Sequence, residues 1–207
     1  MRPLTRYGAT LLLSLMLFHS PAEARPKPPT LVKTAQPAMI ENAEILDFIR
    51  QMSERHGFDQ GTLTASFENQ RPDLRVIRIM APAPAQLTPN WQAYRERFVN
   101  SRRINRGLQF WDAHADTLDK AAREYGVPPE IIVAIIGVET EYGRNMGNFN
   151  VLNALASIGF YGERRRDFFQ AELEQYLLLA RDNAMDLATT RGSFAGAMGI
   201  PQFMPSS

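Results

Sequence analysis

Glu139 is the side chain of this 207-residue polypeptide best suited to acid–base chemistry. It lies in IIGVETEYGR at the carboxyl end of an expected helix, where an apolar stretch stops and Gly143 offers the chain a way out. Partial desolvation at such a point disfavours the charged carboxylate, so the group is expected to hold a proton near neutral pH and donate it to a leaving oxygen. The competing reading is a helix-end glutamate in a surface ion pair. Glu141, two residues on, projects about 200° around a helix from Glu139 and is expected to be solvated rather than to share its cleft. Glycosidic chemistry usually uses a second carboxylate. None lies beside Glu139 in sequence, so a route through one carboxyl group stays open alongside one with a distant partner.

Three further clusters have ligand-binding chemistry. Glu163-Arg164-Arg165-Arg166 stands before or at a helix start, where the macrodipole disfavours cations. The guanidinium fork suits a carboxylate ligand, and the alternative is a solvated basic turn paired with Glu163 and Asp167. The segment RGSFAGAMGIPQFMPSS combines Gly192, Gly196 and Gly199 with Ser193, Gln202, Phe203 and Met204. Small residues admit a ligand to the backbone, and a hydroxyl and a carboxamide can read an amide group; an ordinary glycine-rich loop has the same composition. Trp91, Tyr94 and Phe98 follow helical spacing, which predicts core packing, with Tyr94 a secondary candidate for a ligand contact. His56 and His114 stand apart from any ligand set, so no metal and no cofactor is expected.

The elements that must position these residues read as helices. Ile45, Leu46, Ile49 and Met52 share one helical face that Gly57 ends. LRVIRIM, from Leu74 to Met80, is the best strand candidate. Pro89-Asn90 opens a helix through Phe98, and one longer amphipathic helix is expected through Ile104, Leu108, Trp111, Leu118 and Ala122 to Gly126. Pro128-Pro129 then start a helix that is apolar on nearly every side, Ile131 to Val138, which is expected to be the buried core helix. Asn150 caps a helix over 151–158, and a last long helix over 164–181 turns Phe168, Phe169, Leu173, Tyr176 and Leu177 inward. The fold class is therefore mostly α.

Lysine plus arginine number 23 against 22 aspartate plus glutamate, so no overall field draws the protein to nucleic acid. Arg2 and Arg6, the apolar stretch from Ala9 to Phe18 and Ala22-Glu23-Ala24 read as a signal peptide over 1–24. The apolar part is shorter than the roughly 18 residues of a spanning helix, although an uncleaved anchor is the alternative. Residues 25–40, with Pro26, Pro28, Pro29 and Pro37, read as an extended linker. The chain has no cysteine, which excludes disulfides, thiol nucleophiles and lipid attachment at a cysteine; a periplasmic product that is not a lipoprotein is expected.

Taken together and in this order, GVETEYGRNMGN, NVLNALASIGF, ERRRDFF and GSFAGAMGIPQFMPSS resemble the lytic murein transglycosylase B family. The resemblance runs from about Trp91 to Ser207. It implies a lysozyme-like helical domain over 41–207 that cleaves the bond between N-acetylmuramic acid and N-acetylglucosamine in peptidoglycan without adding water, leaving a 1,6-anhydro end. By position it makes Glu139 the catalytic acid and base, and Tyr94, Arg164, Arg165, Ser193 and Gln202 substrate-binding residues. The implied partners are peptidoglycan glycan strands, with cell-wall synthesis proteins a further possibility. Gly162-Glu163 departs from the aromatic and proline that often precede the family's arginine pair. Family members also continue beyond QFMPSS, so the domain is expected to lack its carboxyl-terminal part, with Ser206-Ser207 a helix cap without its helix. A hydrolytic muramidase and a murein-binding module without activity are the alternatives.

Overall fold

The computed structural model describes residues 36–82 and 90–207. The expected signal peptide and most of the expected linker lie outside these residues. Among them the regular structure is helical except for one two-stranded pair and an isolated bridge between Met198 and Phe203, in agreement with the mostly α reading. No helix among the described residues is long and apolar enough to cross a membrane.

A single 3-10 turn, Met39–Glu41, precedes α1, Ala43–His56. Met39 lies within the stretch read as linker, yet it is buried and its N–H reaches the Gln70 carbonyl at 2.8 Å. Asn42 caps α1 by accepting the Glu44 N–H, and Gly57, in the left-handed region at φ 68°, ends it. The buried face is Ile45, Phe48, Ile49 and Met52; Leu46, expected on that face, is exposed because it sits one position off the i, i+3, i+4, i+7 stripe. Asp59 caps α2, Gln60–Glu68. LRVIRIM is not a strand but α3, Leu74–Met80, started by Asp73, whose carboxylate accepts the Arg75 N–H. Its alternation has no neighbouring strand to pair with, and Val76 packs it into the helical core instead.

Asn90 caps α4, Trp91–Phe98. The core packing expected of its aromatic residues does not occur: Trp91 is 70% and Tyr94 52% exposed, with Trp91 stacked on Tyr94 at 5.9 Å and Tyr94 tilted against Phe98 at 5.1 Å. The long helix expected next is two, α5, Ser101–Ala113, and α6, Ala115–Tyr125, parted at His114, whose N–H is shared between the Phe110 and Trp111 carbonyls. Gly126 at φ 69° ends α6.

Pro129 begins α7, Pro129–Thr140, but this helix is not the buried one. Only Val133, Gly137 and Thr140 are buried, on the side facing α5 and α6, while Ile131, Ile135 and Val138 are each about half exposed. The core helix is α8, Val151–Tyr161, capped by Asn150 and buried at nine of its positions, Val151, Leu152 and the run Ala154 to Phe160. It packs against α9, Arg166–Asp182, which turns Phe169, Leu173, Tyr176 and Leu177 inward; Phe168 lies at the edge, 36% exposed. Strand β1, Phe149–Asn150, pairs antiparallel with β2, Arg191–Gly192.

Candidate active site

Glu139 rides on the last turn of α7. The helix is left not at Gly143 but two residues sooner: Glu141 takes the left-handed conformation at φ 51°, and Tyr142 follows at φ 63°. Glu139 itself is exposed, and among the described residues it makes no side-chain hydrogen bond or ion pair. Neither the burial expected of it nor the surface ion pair is present. The side chain is free to meet whatever occupies the space before it.

Glu141 is the reverse of its expectation. It is 6% exposed, ion-paired with Arg106, and lies 3.4 Å from Arg102 Nε and 3.7 Å from Arg103 Nη2. The helical projection fails because the left-handed turn swings the residue back under α7 toward α5. Burial pushes its carboxyl upward, but the Arg102, Arg106 and Arg103 guanidiniums outweigh that and hold it below its ordinary value. This carboxylate is committed to three cations. The signal in the sequence was the basic trio Arg102, Arg103 and Arg106, unmatched by any acid near them on α5.

The neighbours of Glu141 are anchored too. Thr140 is fully buried; its hydroxyl donates to the Ile200 carbonyl at 2.8 Å and accepts the Gly143 N–H at 2.9 Å. The Tyr142 phenol enters a notch between α5 and α7 that only glycine permits: a Cβ on Gly107 or Gly137 would stand 2.5 or 2.6 Å from its oxygen. Arg103 Nη1 donates to the Gly137 carbonyl, tying the same two helices.

The loop after β2 closes over this turn. Ser193 N–H donates to the Ala197 carbonyl at 2.8 Å, and its hydroxyl oxygen accepts the N–H groups of Ala195 and Ala197 at 3.3 and 3.0 Å. The Ser193 O–H hydrogen is therefore left to donate outward. Gln202 Nε2 donates to the carbonyls of Gly199 at 2.9 Å and Met146 at 3.2 Å, and Oε1 accepts no bond among the described residues. Gly147, at φ 88°, lies so near Gly192 that a Cβ would fall 2.0 Å from that residue's carbonyl oxygen. Thus Ile200, Gln202 and Gly192 all bear on residues 140–147, and the structure joins the Ser193–Gln202 loop to the turn that carries Glu139.

The other expected site residues lie elsewhere. Arg164 and Arg165 are exposed in the connection between α8 and α9, where Arg165, at φ 55°, lays its guanidinium 4.0 Å from the Phe168 ring centre. The basic turn expected to pair with Glu163 and Asp167 forms no such ion pair among the described residues. Arg166 differs from its neighbours: it donates to the Gly159 and Phe160 carbonyls at 3.2 Å and pairs with Glu44, fastening α8 to α9 and α1. Tyr94 stands on α4, and no bond joins it, Arg164 or Arg165 to the Glu139 turn among the described residues. His56 meets Glu174 at 2.7 Å, and His114 packs 4.4 Å from Phe110.

Sequence reading missed one more buried acid. Glu172 of α9 is 4% exposed and accepts the Ser206 O–H at 2.7 Å and N–H at 3.1 Å, so Ser206 anchors the final segment to α9.

The sequence profile of the Transglycosylase SLT domain family matches residues 41–207. The chain is similar to the membrane-bound lytic murein transglycosylase B of Escherichia coli (strain K12), at 43% identity over 174 residues, 80% of this chain and 48% of that protein. It is similar in structure to the soluble lytic transglycosylase SltB1 of Pseudomonas aeruginosa, with a TM-score of 0.76 and 44% identity over 79% of this chain and 55% of that one. SltB3 of the same organism, solved with NAG-NAM-pentapeptide and with NAG-anhNAM-pentapeptide, matches with a TM-score of 0.71 and 32% identity over 81% of this chain and 44% of that one. The chain spans about half the length of these relatives. With a lysozyme-like helical fold and its glutamate-bearing turn under a serine–glutamine loop, the chain belongs to the transglycosylase SLT family.

Proposed function

We propose that this chain bears the catalytic site of a peptidoglycan lytic transglycosylase, which cleaves the β-1,4 bond between N-acetylmuramic acid and N-acetylglucosamine and leaves a 1,6-anhydro end. The observation that carries this reading is the state of the two acids at the end of α7. Glu139 is exposed and has no hydrogen-bond or ion-pair partner among the described residues, while Glu141 is bound by three guanidiniums and cannot serve as a second catalytic carboxylate. One free carboxyl group suits a mechanism with one proton carrier. Glu139 donates its proton to the glycosidic oxygen as that bond breaks; the resulting carboxylate then takes the proton of the muramyl C6 hydroxyl as its oxygen closes on C1. No water enters, and Glu139 ends protonated as it began. The binding of an anhydro-muramyl ligand by one relative supports this outcome.

Ser193 and Gln202 position the sugar, the hydroxyl as a donor and the carboxamide oxygen as an acceptor for an acetamido group. Arg164 and Arg165 offer guanidiniums to the lactyl or peptide carboxylates, and Tyr94 a ring to a sugar face. Peptidoglycan lies outside the cytoplasm, so residues 1–24 act as an export signal; with no cysteine in the chain, no lipid is attached through one.

Digestion of purified peptidoglycan by the full-length protein, followed by mass spectrometry, tests the assignment. Anhydro-muramyl products are expected, and Glu139→Gln lowers turnover on the order of 10²- to 10⁴-fold with an unchanged circular dichroism spectrum. Products heavier by one water would mean a hydrolytic muramidase, and murein binding with no soluble product would mean a binding module. A folded Glu139→Gln protein with native turnover would end the catalytic assignment.

A further inference from the structure

We infer that Glu141 is a positioning residue, through which Arg102, Arg103 and Arg106 of α5 fix the direction in which Glu139 presents its carboxyl group; this rests on the reading of Glu139 given above. Because Glu139 makes no side-chain hydrogen bond or ion pair among the described residues, its aim is set largely by the backbone that carries it. That backbone is gripped by one helix at two points. Arg103 Nη1 holds the Gly137 carbonyl, two residues before Glu139, while Arg103 Nη2 and the Arg102 and Arg106 guanidiniums hold the Glu141 carboxylate, two residues after it.

The grip is an electrostatic clamp rather than ordinary packing. Three cations surround one buried carboxylate, with Asn145 Nδ2 adding a donor at 3.4 Å. Arg103 and Arg106 are themselves 15% and 28% exposed, so neither is freely solvated when its partner is lost. Glu141 also sits in the left-handed region, where a residue with a side chain stays only if its surroundings hold it. Removing the charge at Glu141 leaves three facing cations to separate, and the bond from Arg103 to Gly137 goes with them. The turn can then relax toward a continuing helix, and Glu139 turns with it. Catalytic groups tolerate little of this: a misplacement of about 1 Å costs on the order of 10²-fold in rate.

The test uses the full-length protein and a soluble murein tetrasaccharide, measuring kcat and KM for Glu141→Gln, Glu141→Asp and Arg106→Gln beside Glu139→Gln. Glu141→Gln is expected to lower kcat by roughly 10- to 100-fold with KM within about threefold of native, because Ser193 and Gln202 keep the bonds inside their own loop. Glu141→Asp, which keeps the charge, is expected to recover a substantial part of that loss. Arg106→Gln reports on the same clamp from α5 and is expected to show the same split if Glu141→Gln fails to fold. A folded Glu141→Gln protein with native kcat, or one whose defect lies in KM alone, would overturn the inference while an inactive Glu139→Gln left the catalytic assignment standing. Native turnover in Glu139→Gln would overturn both.

Discussion

Gly137→Ala sets two opposed effects against each other at one atom. Alanine is the better helix former by about 1 kcal/mol in a helix interior, so propensity alone predicts a more stable protein. The new Cβ, however, would stand 2.6 Å from the Tyr142 phenol oxygen and 2.8 Å from Cζ. Relief requires the ring to retreat by roughly 1 Å to reach normal carbon contact distances. Its retreat is limited by the backbone of Gly107, which is so near that an added Cβ would stand 2.5 Å from the same oxygen, and by Phe110, whose ring centre is 5.6 Å away. Tyr142 is rigid and its backbone is committed at φ 63°, so the overpacking term falls toward the upper part of its usual range of about 1–3 kcal/mol. The clash wins, and Gly137→Ala is expected to destabilise by about 1–2 kcal/mol. In a Tyr142→Ala background the obstacle is gone, and the same substitution is expected to stabilise by about 0.5–1 kcal/mol. Urea denaturation of the four proteins gives the coupling, expected to be about 1.5–3 kcal/mol. A more stable Gly137→Ala protein, or an equal effect in both backgrounds, would refute the notch.

Leu155→Ala, at a fully buried position on α8, is expected to cost about 2–5 kcal/mol by denaturation. It also removes the side chain against which Gly196 closes, since a Cβ on Gly196 would lie 2.3 Å from Leu155 Cδ2, so amide exchange in the Ser193 loop should quicken. Tyr176 is fully buried, and among the described residues its phenol oxygen has no hydrogen-bond partner of good geometry; the nearby Thr190 hydroxyl donates to the Asp186 carbonyl. Burial holds that phenol above its ordinary value, so its neutral form favours the fold below about pH 10 and stability falls as pH rises through that point, where the unfolded chain ionises first. Tyr176→Phe is expected to be neutral or slightly stabilising at pH 7 and to soften the alkaline fall in a pH series of melting temperatures. Ser193→Ala and Gln202→Ala are each expected to slow turnover by roughly five- to 150-fold without moving the pH profile, since neither side chain exchanges protons. Ser193→Ala should in addition loosen its turn, because two backbone N–H groups lose their acceptor; a displaced profile in either variant would give one of them a part in proton transfer.

Where the folding rule is local, the sequence is a good guide. Asn90, Asn150 and Gly57 mark helix ends through their own side-chain or backbone chemistry, and the structure uses each of them so. Burial is a different matter, because it depends on what lies opposite. The all-apolar α7 and the shorter apolar α8 look alike in composition, yet only α8 is covered on every side among the described residues. The strand-like alternation of LRVIRIM likewise meant nothing without a strand to pair with. At the site, Ser193 and Gln202 stand beside the Glu139 turn because bonds between distant parts of the chain bring them there, Thr140 to Ile200 and Gln202 to Met146, and no local rule marks those. For Glu141 the unmatched arginines were the one hint: the 200° projection assumes a continuing helix, and a left-handed non-glycine residue leaves no mark in composition. Its three arginines lie some 35 residues away, and only folding shows that they converge.

The two short strands have a consequence for how the molecule assembles. Phe149 and Asn150 pair with Gly192 and Arg191, so the chain entering α8 and the chain leaving α9 meet, and everything between forms a closed circuit. The helix pair inside that circuit needs only a four-residue connection, Gly162 to Arg165, and gathers most of its contacts locally. Closing the strands carries a larger loop entropy and has few bonds to offset it, so it should follow the helix pair rather than guide it. Native-state hydrogen exchange is expected to find the slowest amides in α8, with those of Phe149 and Gly192 opening at lower free energy. The Ser193 loop, which grows directly from β2, would then be among the last parts to set, after the core on which it rests.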